Sequence, residues 1–497
     1  MILCILFLAK MNDFYGFSPK IERLKTMIGR EKEIRILKEN YRSNESSFIA
    51  IYGRRRIGKT YLVSMAFENK IFFHHAGIYQ GSTEEQIASF MDDLKDYGYE
   101  GEEPATDWFA AFGCLKKLIN ASEEKKKVIF LDEIAWMYTK KSSFIKALEN
   151  FWNGWASIRR DVMLIICSSA TSWIINNIIH SKGGLYNRVT TQIYLEPFTL
   201  GECEKYCVSQ KLSLTKKQII EAYMVIGGVP YYWKYLVKGQ SIPKFIDTCF
   251  FASGAPLKNE LKYIFASLFS NPDGYMKIIE SLSKKTCGLT KREILEDTKE
   301  INNGNFTNKI EDLINCGFIR EYSPLQYKKT TTRYQLIDSF TIFHFHFLTK
   351  KNTNETFWED QMDASSINAW KGLAFERICL LHAGKIKKAL GIEGVHTAVY
   401  PWSCQKDVEK KVHGSQIDMV IERKDGIINL FEIKYYATPY CLDSNDIESL
   451  NQKKQDFMET TKTKSAIHLS MIALNGVKEN AYSNELQSII STEDLFN

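Results

Sequence analysis

Five apolar runs between Ser47 and Phe198 are short enough for strands: Phe48–Tyr52, Ile71–His75, Val128–Leu131, Val162–Ser168 and Gln192–Leu195. Unbroken apolar runs suit strands buried on both faces, and their alternation with helical stretches predicts a parallel sheet with crossover helices over 27–199. From Leu200 the period turns helical, with Thr199 and Glu202 spaced as a capping box, so a small helical lid is expected over 200–256. Residues 257–349 give short helices, then EDLINCGF within Ile310–Ile319 and a hairpin ending at Tyr334–Ile337. A helix, a Gly turn and a two-stranded wing predict a winged helix. After the polar stretch Lys350–Glu355 the pattern resets to a helix followed by strands at Asp418–Glu422, Ile427–Lys434 and Ser465–Met471, a separate α/β domain over 350–497. Residues 1–26 form an N-terminal extension.

At about 150 residues per domain, 497 residues imply roughly three domains. Hydrophobic residues at 44% and charged residues at 25% exclude a disordered chain and a membrane bundle. Lys and Arg exceed Asp and Glu by only six, so any nucleic-acid contact must come from local clusters. Lys125–Lys127 reads as a solvated helix end; Lys385, Lys387 and Lys388, like Lys406, Lys410 and Lys411, read equally well as solvated faces. Eleven scattered Cys without a CxxC pair look like buried thiols, and Cys203 with Cys207 like helix packing rather than a zinc site. Ile2–Ala9 is apolar but about half a membrane span, without the basic residues that precede a secretory segment. A cytoplasmic protein with no membrane partner is expected, and Met11 and Met27 offer later starts.

The chemistry begins at Gly53–Thr60, GRRRIGKT, which fits GxxxxGK[ST] between an apolar strand and a helix. Gly53, Arg54, Arg55, Arg56, Ile57 and Gly58 would curl their backbone N–H groups around the phosphates of ATP. Lys59 would reach the outer phosphates, and Thr60 would place its hydroxyl on Mg2+. Downstream, Val128–Glu133, VIFLDE, ends a buried strand in two carboxylates at the edge where open parallel sheets bind ligands. Asp132 would hold Mg2+, and Glu133 would polarise the attacking water. Ser168 or Ser169, ending VMLIICSS, would contact the γ-phosphate or the water, or simply cap the strand end. Arg188 in GGLYNRVT is a candidate arginine finger, in cis or across subunits, against the reading of a surface arginine.

A second constellation lies near the C-terminus: Glu376 in WKGLAFERICL, Asp418 in GSQIDMVIE, and Glu432 with Lys434 in INLFEIKYY. On a strand Glu432 and Lys434 face one way, and Asp418 can meet Glu432 across a hairpin. Carboxylates from adjacent strands suit one or two Mg2+ ions, with a lysine to position water and stabilise charge on phosphorus. A cross-strand ion pair on an exposed face is the competing account. His344 and His346 in FHFHF read as a packed strand or helix edge rather than metal ligands.

IGREKEI at Ile28–Ile34, GRRRIGKT, FLDE, SSATSW, GGLYNR, LEPFTLGE and GGVPYYW at Gly227–Trp233 together resemble the archaeal-type ATPases of the AAA/STAND lineage. The resemblance covers 27 to about 350. It implies a P-loop core of the additional-strand class, a lid in which Pro230 helps order the nucleotide side, a winged helix and a nucleotide-dependent switch. The tail, roughly 352–497, resembles the PD-(D/E)xK nuclease fold, with Asp418, Glu432 and Lys434 at the D, E and K positions and Glu376 as the acid of the leading helix. The reading is an α/β protein, a Mg2+-dependent ATPase switching a tail that binds or cleaves DNA or RNA, and homo-oligomers fit it. The alternative is an ATP-dependent sensor or scaffold whose tail only binds.

Overall fold

The computed structural model describes residues 27–102, 104–139, 142–324, 332–349, 354–407 and 412–497. The expectations for 1–26, for most of Lys350–Glu355 and for Lys410 and Lys411 lie outside the described residues. Five parallel strands form the first sheet: β1 (Ser47–Tyr52), β2 (Ile71–Ala76), β3 (Lys127–Asp132), β4 (Val162–Ser168) and β5 (Thr191–Tyr194), in the order β2-β3-β4-β1-β5. Strand β4 is thus inserted between the P-loop strand and the strand of the acidic pair. Both β3 and β4 are buried at every position. Their side chains divide by the period of two: Ile129, Leu131, Leu164 and Ile166 join one apolar layer, while Val128, Phe130, Ile165 and Cys167 join the other.

The lysine run before β3 is not a solvated helix end. Lys126 and Lys127 are buried at the strand's entry, where Lys126 donates to the carbonyls of Ser43 (3.0 Å) and Glu45 (2.5 Å) and Lys127 pairs with Asp161 at 3.0 Å. Long aliphatic stems let the ammonium groups reach polar partners from inside the sheet's rim, so these charges serve the fold and are closed to phosphate.

Capping boxes at Thr199 with Glu202 and at Thr215 with Gln218 open the helices Leu200–Ser209 and Lys216–Ile226. After Pro272–Ser283 come the short strand β6 (Leu289–Thr290), the helices Lys291–Thr298 and Gly304–Asn315, and strands β7 (Ile319–Tyr322) and β8 (Arg333–Leu336), an antiparallel sheet in the order β6-β8-β7. FHFHF lies in a helical segment continuing from Ser339–Phe343. The last sheet comprises β9 (Thr397–Ser403), β10 (Gln416–Arg423), β11 (Ile427–Lys434), β12 (Ala466–Ala473) and β13 (Ser488–Ile490), antiparallel through β9, β10 and β11, parallel from β11 to β13. The helix Ser444–Thr461 makes the crossover from β11 to β12.

The tail's apolar interior is not separate from what precedes it. One continuous core runs from Phe198 through Tyr232, Phe340, Phe343, Trp358 and Trp370 to Phe431 and Phe496, whereas the parallel sheet keeps its own two layers. Asp247 tightens the same seam by accepting the backbone N–H groups of Trp358 (2.8 Å) and Glu359 (2.9 Å). Among the described residues no helix is long and apolar enough to cross a membrane.

Candidate functional site

The P-loop leaves the C-terminal end of β1 and turns into the helix Lys59–Phe67. Gly53, at φ +138°, sits where a Cβ would lie 2.5 Å from the Leu195 carbonyl oxygen, and Gly58 takes φ +89° at the helix start. Neither position tolerates a side chain without backbone displacement. Lys59 is buried, its ammonium donating to the Gly53 and Arg54 carbonyls at 3.0 Å each. With its head on the loop's own backbone, it needs only a torsional swing to reach a phosphate.

At the neighbouring strand end, Thr60 Oγ1 donates to Asp132 Oδ2 at 2.5 Å, and the Glu133 N–H donates to Asp132 Oδ1 at 2.9 Å. Burial pushes the Asp132 carboxyl up, against the hydrogen bonds from Thr60 and Glu133 and the charge of Lys59. A hydroxyl and a carboxylate in contact form the hard-oxygen pair that suits Mg2+, and a divalent cation would offset that desolvation. Glu133 adopts a left-handed backbone, φ +45°, unusual for a glutamate. Its Oε2 accepts from Ser169 N (3.0 Å) and Ser169 Oγ (2.9 Å). Ser169 therefore orients the glutamate, while Ser168 Oγ accepts from Ala170 N at 3.0 Å as a strand-end cap.

Two of the three P-loop arginines, Arg54 and Arg56, engage residues of the C-terminal half. Arg54 forms a buried two-pronged ion pair with Asp338, 284 residues downstream, and its guanidinium lies 4.8 Å from the Phe318 ring centre. Asp338 raises the Arg54 pKa despite burial. Arg56, at φ +69°, pairs with Glu260 at 2.6 Å and stacks over Tyr231 at 4.2 Å; Arg55 lies 5.9 Å over Trp136. Sequence patterning missed Asp338 and Glu260. LIDSF signals a helix cap, which Asp338 is, but not a partner so remote in the chain. The GGVP turn packs onto the exit of the parallel sheet: the Phe198 N–H donates to the Gly228 carbonyl at 2.6 Å and Trp233 Nε1 to that of Gly227 at 2.8 Å, with Pro230 opening the helix Pro230–Trp233.

Arg188 is exposed in the turn before β5. Because Thr190 N donates to the Phe48 carbonyl and Thr191 stands opposite Ile49, this turn lies at the N-terminal edge of the sheet. The P-loop occupies the opposite edge, about 16 Å away along five strand residues. That placement removes the reading in cis.

In the tail, the register Met419↔Phe431 sets Asp418 opposite Glu432. Asp418 Oδ2 accepts the Ile433 N–H at 2.8 Å, and Glu432 is gripped by Lys434 (2.9 Å) and by Lys453 (2.5 Å) from the crossover helix. Lys453, one of the residues in NQKKQ, carried no sequence signal beyond helical charge. Burial, then the neighbouring acids Asp418 and Glu432, push Glu376 up to about 8; burial, then Glu432, push Asp418 up to about 6. For Glu432, burial is outweighed by Lys453 and Lys434, which lower it. Among the described residues no three His, Cys, Asp or Glu side chains are gathered to hold a metal ion. Glu376, Asp418 and Glu432 are near enough to act on one another's charge, but Glu432 is paired with two lysines and Asp418 with a backbone N–H.

Comparison with known proteins agrees with the P-loop geometry. The chain is 24% identical over 380 residues to the uncharacterized protein MJECL04 of Methanocaldococcus jannaschii, covering 73% of this chain and 79% of that protein. A stretch of 43 residues is 40% identical to the uncharacterized ATP-binding protein MJ0423 of the same organism, 9% of this chain and 73% of the relative. Among solved structures, the Walker-type ATPase of Pyrococcus abyssi matches at 15% identity and a TM-score of 0.47, covering 67% of this chain and 99% of that one. Residues 27–236 match the family described as "ATPase domain predominantly from Archaea", and the Lys59, Thr60 and Asp132 arrangement lies within that segment.

Proposed function

We propose that this chain is a Mg2+-dependent ATPase acting as a nucleotide switch on a nuclease-like tail that binds or cleaves DNA or RNA. The observation that carries it is the meeting, at one sheet edge, of the Thr60–Asp132 pair with a Glu133 held in place by Ser169. Residues 53–60 cradle the phosphates of ATP, Lys59 neutralises the outer ones, and Thr60 and Asp132 hold Mg2+, which supplies charge stabilisation at the transferring phosphoryl group. Glu133 takes up the water's proton. Arg188 acts across a subunit boundary of a homo-oligomer, supplying charge to the neighbour's transition state.

Under this reading the chain divides into a P-loop core (27–199), a lid (200–256), a winged helix (257–349) and the tail (350–497), in the cytoplasm. The order helix, β6, two helices, β7, β8 supports the winged helix. Asp418 opposite Glu432, with Lys434 beside them and Glu376 on the leading helix, supports the PD-(D/E)xK reading. The second reading, an ATP-dependent scaffold whose tail is inert, draws on the two lysines that neutralise Glu432. Assays of ATP turnover and Mg2+-dependent cleavage on wild type, Lys59→Ala and Asp418→Ala decide between them. Loss of cleavage in both variants with ATP turnover kept in Asp418→Ala supports the switch; no cleavage by wild type of any DNA or RNA supports the scaffold.

A further inference from the structure

Two of the tail's acids, Glu376 and Asp418, face a narrow cavity of about 40 Å³ that the small antiparallel sheet borders: Thr286, Cys287 and Gln335 line one side, and Glu376, Arg377 and Asp418 the other. That volume admits only a few waters. A bound nucleotide needs a pocket on the order of 300 Å³ or more, so this space does not admit one to Asp418. The closure is polar. Arg320 Nε donates to Gln335 Oε1 at 2.7 Å, and Gln335 Nε2 donates to the Thr286 carbonyl at 2.6 Å, which fixes the rim of the small sheet. Toward the tail, Arg320 Nη1 reaches the Val399 carbonyl only at 3.4 Å, its buried Nη2 has no hydrogen-bond partner, and the Tyr322 and Tyr400 rings lie parallel at 6.2 Å. A buried guanidinium left short of a partner makes this a contact of small net stability, one that can separate.

The same strand leads to the nucleotide site. Three residues after Gln335 the chain reaches Asp338, the buried partner of Arg54 in the P-loop. ATP would bring phosphate charges to the loop that carries Arg54 and Arg56, and phosphate oxygens compete for guanidinium groups through charge-assisted hydrogen bonds. Lys59, released from the Gly53 and Arg54 carbonyls by the same phosphates, would leave that backbone to re-form.

We propose that the small sheet is a plug that closes the tail's carboxylate site to nucleic acid, and that the Arg54–Asp338 pair links its seating to the state of the P-loop. The proposal rests on the nuclease-like reading of the tail for its purpose, but its test does not. Cys287 lines the cavity and is only partly exposed, so the rate of its alkylation by N-ethylmaleimide, followed by mass spectrometry of its peptide in the full chain, reports the plug. The exposed Cys441 serves as internal reference. Saturating Mg2+ with the slowly hydrolysed analogue ATPγS should speed Cys287 labelling about tenfold, and Lys59→Ala should abolish the acceleration. Asp338→Asn should label at the fast rate without nucleotide. Tyr400→Ala, which takes away the ring facing Tyr322 and leaves the Tyr322 hydroxyl donating to the Cys287 carbonyl, should do the same and carries the test if Asp338→Asn fails to fold. A Cys287 rate unchanged by bound analogue and unchanged in folded Tyr400→Ala overturns the plug. An inert tail leaves the labelling result standing, whereas cleavage that depends on Asp418 alongside flat labelling keeps the nuclease and sinks the plug.

Discussion

The edge of the parallel sheet and the edge of the tail sheet each bring carboxylates beside a lysine, yet they treat charge in opposite ways. In the ATPase domain Asp132 and Glu133 are held by neutral donors, Thr60, Ser169 and a backbone N–H, and Lys59 rests on carbonyl oxygens. Among the described residues none of these three charged groups sits in an ion pair, so cation and anion are both left for a ligand that brings its complement. In the tail Glu432 is already neutralised by Lys434 and Lys453, and Glu376 and Asp418 are pushed toward their protonated forms. Two acids and a lysine therefore describe charges held by neutral donors in one place and charges paired with one another in the other. The difference lies in which atoms hold the acids.

The largest effect that tests this contrast is at Glu133. Glu133→Gln keeps the size and the Ser169 contacts but removes the base, and should lower ATP turnover by about 10²- to 10⁴-fold with nucleotide affinity nearly unchanged. The matching change in the tail, Glu432→Gln, should leave ATP turnover within about twofold, because no bond joins the two sites directly. Steady-state hydrolysis on both variants is the measurement. Equal losses would mean the two edges form one catalytic unit and would dissolve the comparison.

Next in size is the pair that joins the two halves. Asp338→Ala strands the buried Arg54 guanidinium, and breaking such a pair costs about 3–5 kcal/mol. Denaturant unfolding should show that loss, and Asp338→Ala combined with Arg54→Met should recover part of it, since an apolar stem can stay buried where an unpaired charge cannot. No destabilisation would mean that the P-loop and the small sheet are independent, which removes the route by which one edge senses the other.

How far the sequence reached follows the same division. The five strands of the parallel sheet were legible to within about two residues because each carries a short apolar run, longest in β1, β3 and β4, and Gly53–Thr60 was legible because the cradle needs glycines at fixed steps. Asp418, Glu432 and Lys434 were legible as a motif, but not what holds them: Lys453 approaches from a crossover helix, and nothing in a local pattern says that its ammonium turns inward. Lys126 and Lys127 were misplaced for the same reason, since a lysine run is written identically whether its heads meet water or the carbonyls of Ser43 and Glu45. The pairing of Arg54 with Asp338 and the core shared by lid and tail are long-range packing, which periodicity does not encode.

The seam between lid and tail supplies a pH-dependent version of the contrast. Burial pushes His382 down to about 4 from an ordinary 6.5, and its neutral ring accepts the Leu200 N–H at 3.1 Å through Nε2 while Nδ1 donates to the Ile378 carbonyl at 2.8 Å. A histidine whose folded value is depressed contributes stability that is full above about 6.5 and is lost as pH falls toward 4, here about 3 kcal/mol. Because Glu376 and Asp418, with raised folded values, gain stability as pH falls through the same window, the histidine's loss below 6.5 is read as the difference in thermal unfolding between wild type and His382→Gln from pH 8 to 4. The ATPase sheet, with its own apolar layers, should keep its protection against hydrogen exchange through that window. Parallel loss in both regions would argue that one core serves the whole molecule.

The smallest effect concerns the serine that holds Glu133. Two hydrogen bonds reach Oε2, one from the Ser169 backbone and one from its hydroxyl, so Ser169→Ala removes one and leaves the other. A single hydrogen bond to a charged acceptor contributes on the order of 1.5–3 kcal/mol, and the remaining backbone donor should keep the loss somewhat below the lower figure. Because the left-handed backbone of Glu133 already aims the side chain, the variant should bind ATP as wild type does and hydrolyse it about fivefold more slowly, seen as a fall in kcat without a change in KM. A loss as large as that of Glu133→Gln would make the hydroxyl part of the proton transfer itself. An unchanged kcat would mean that backbone geometry alone orients the base, and would place all of the site's precision in the strand end.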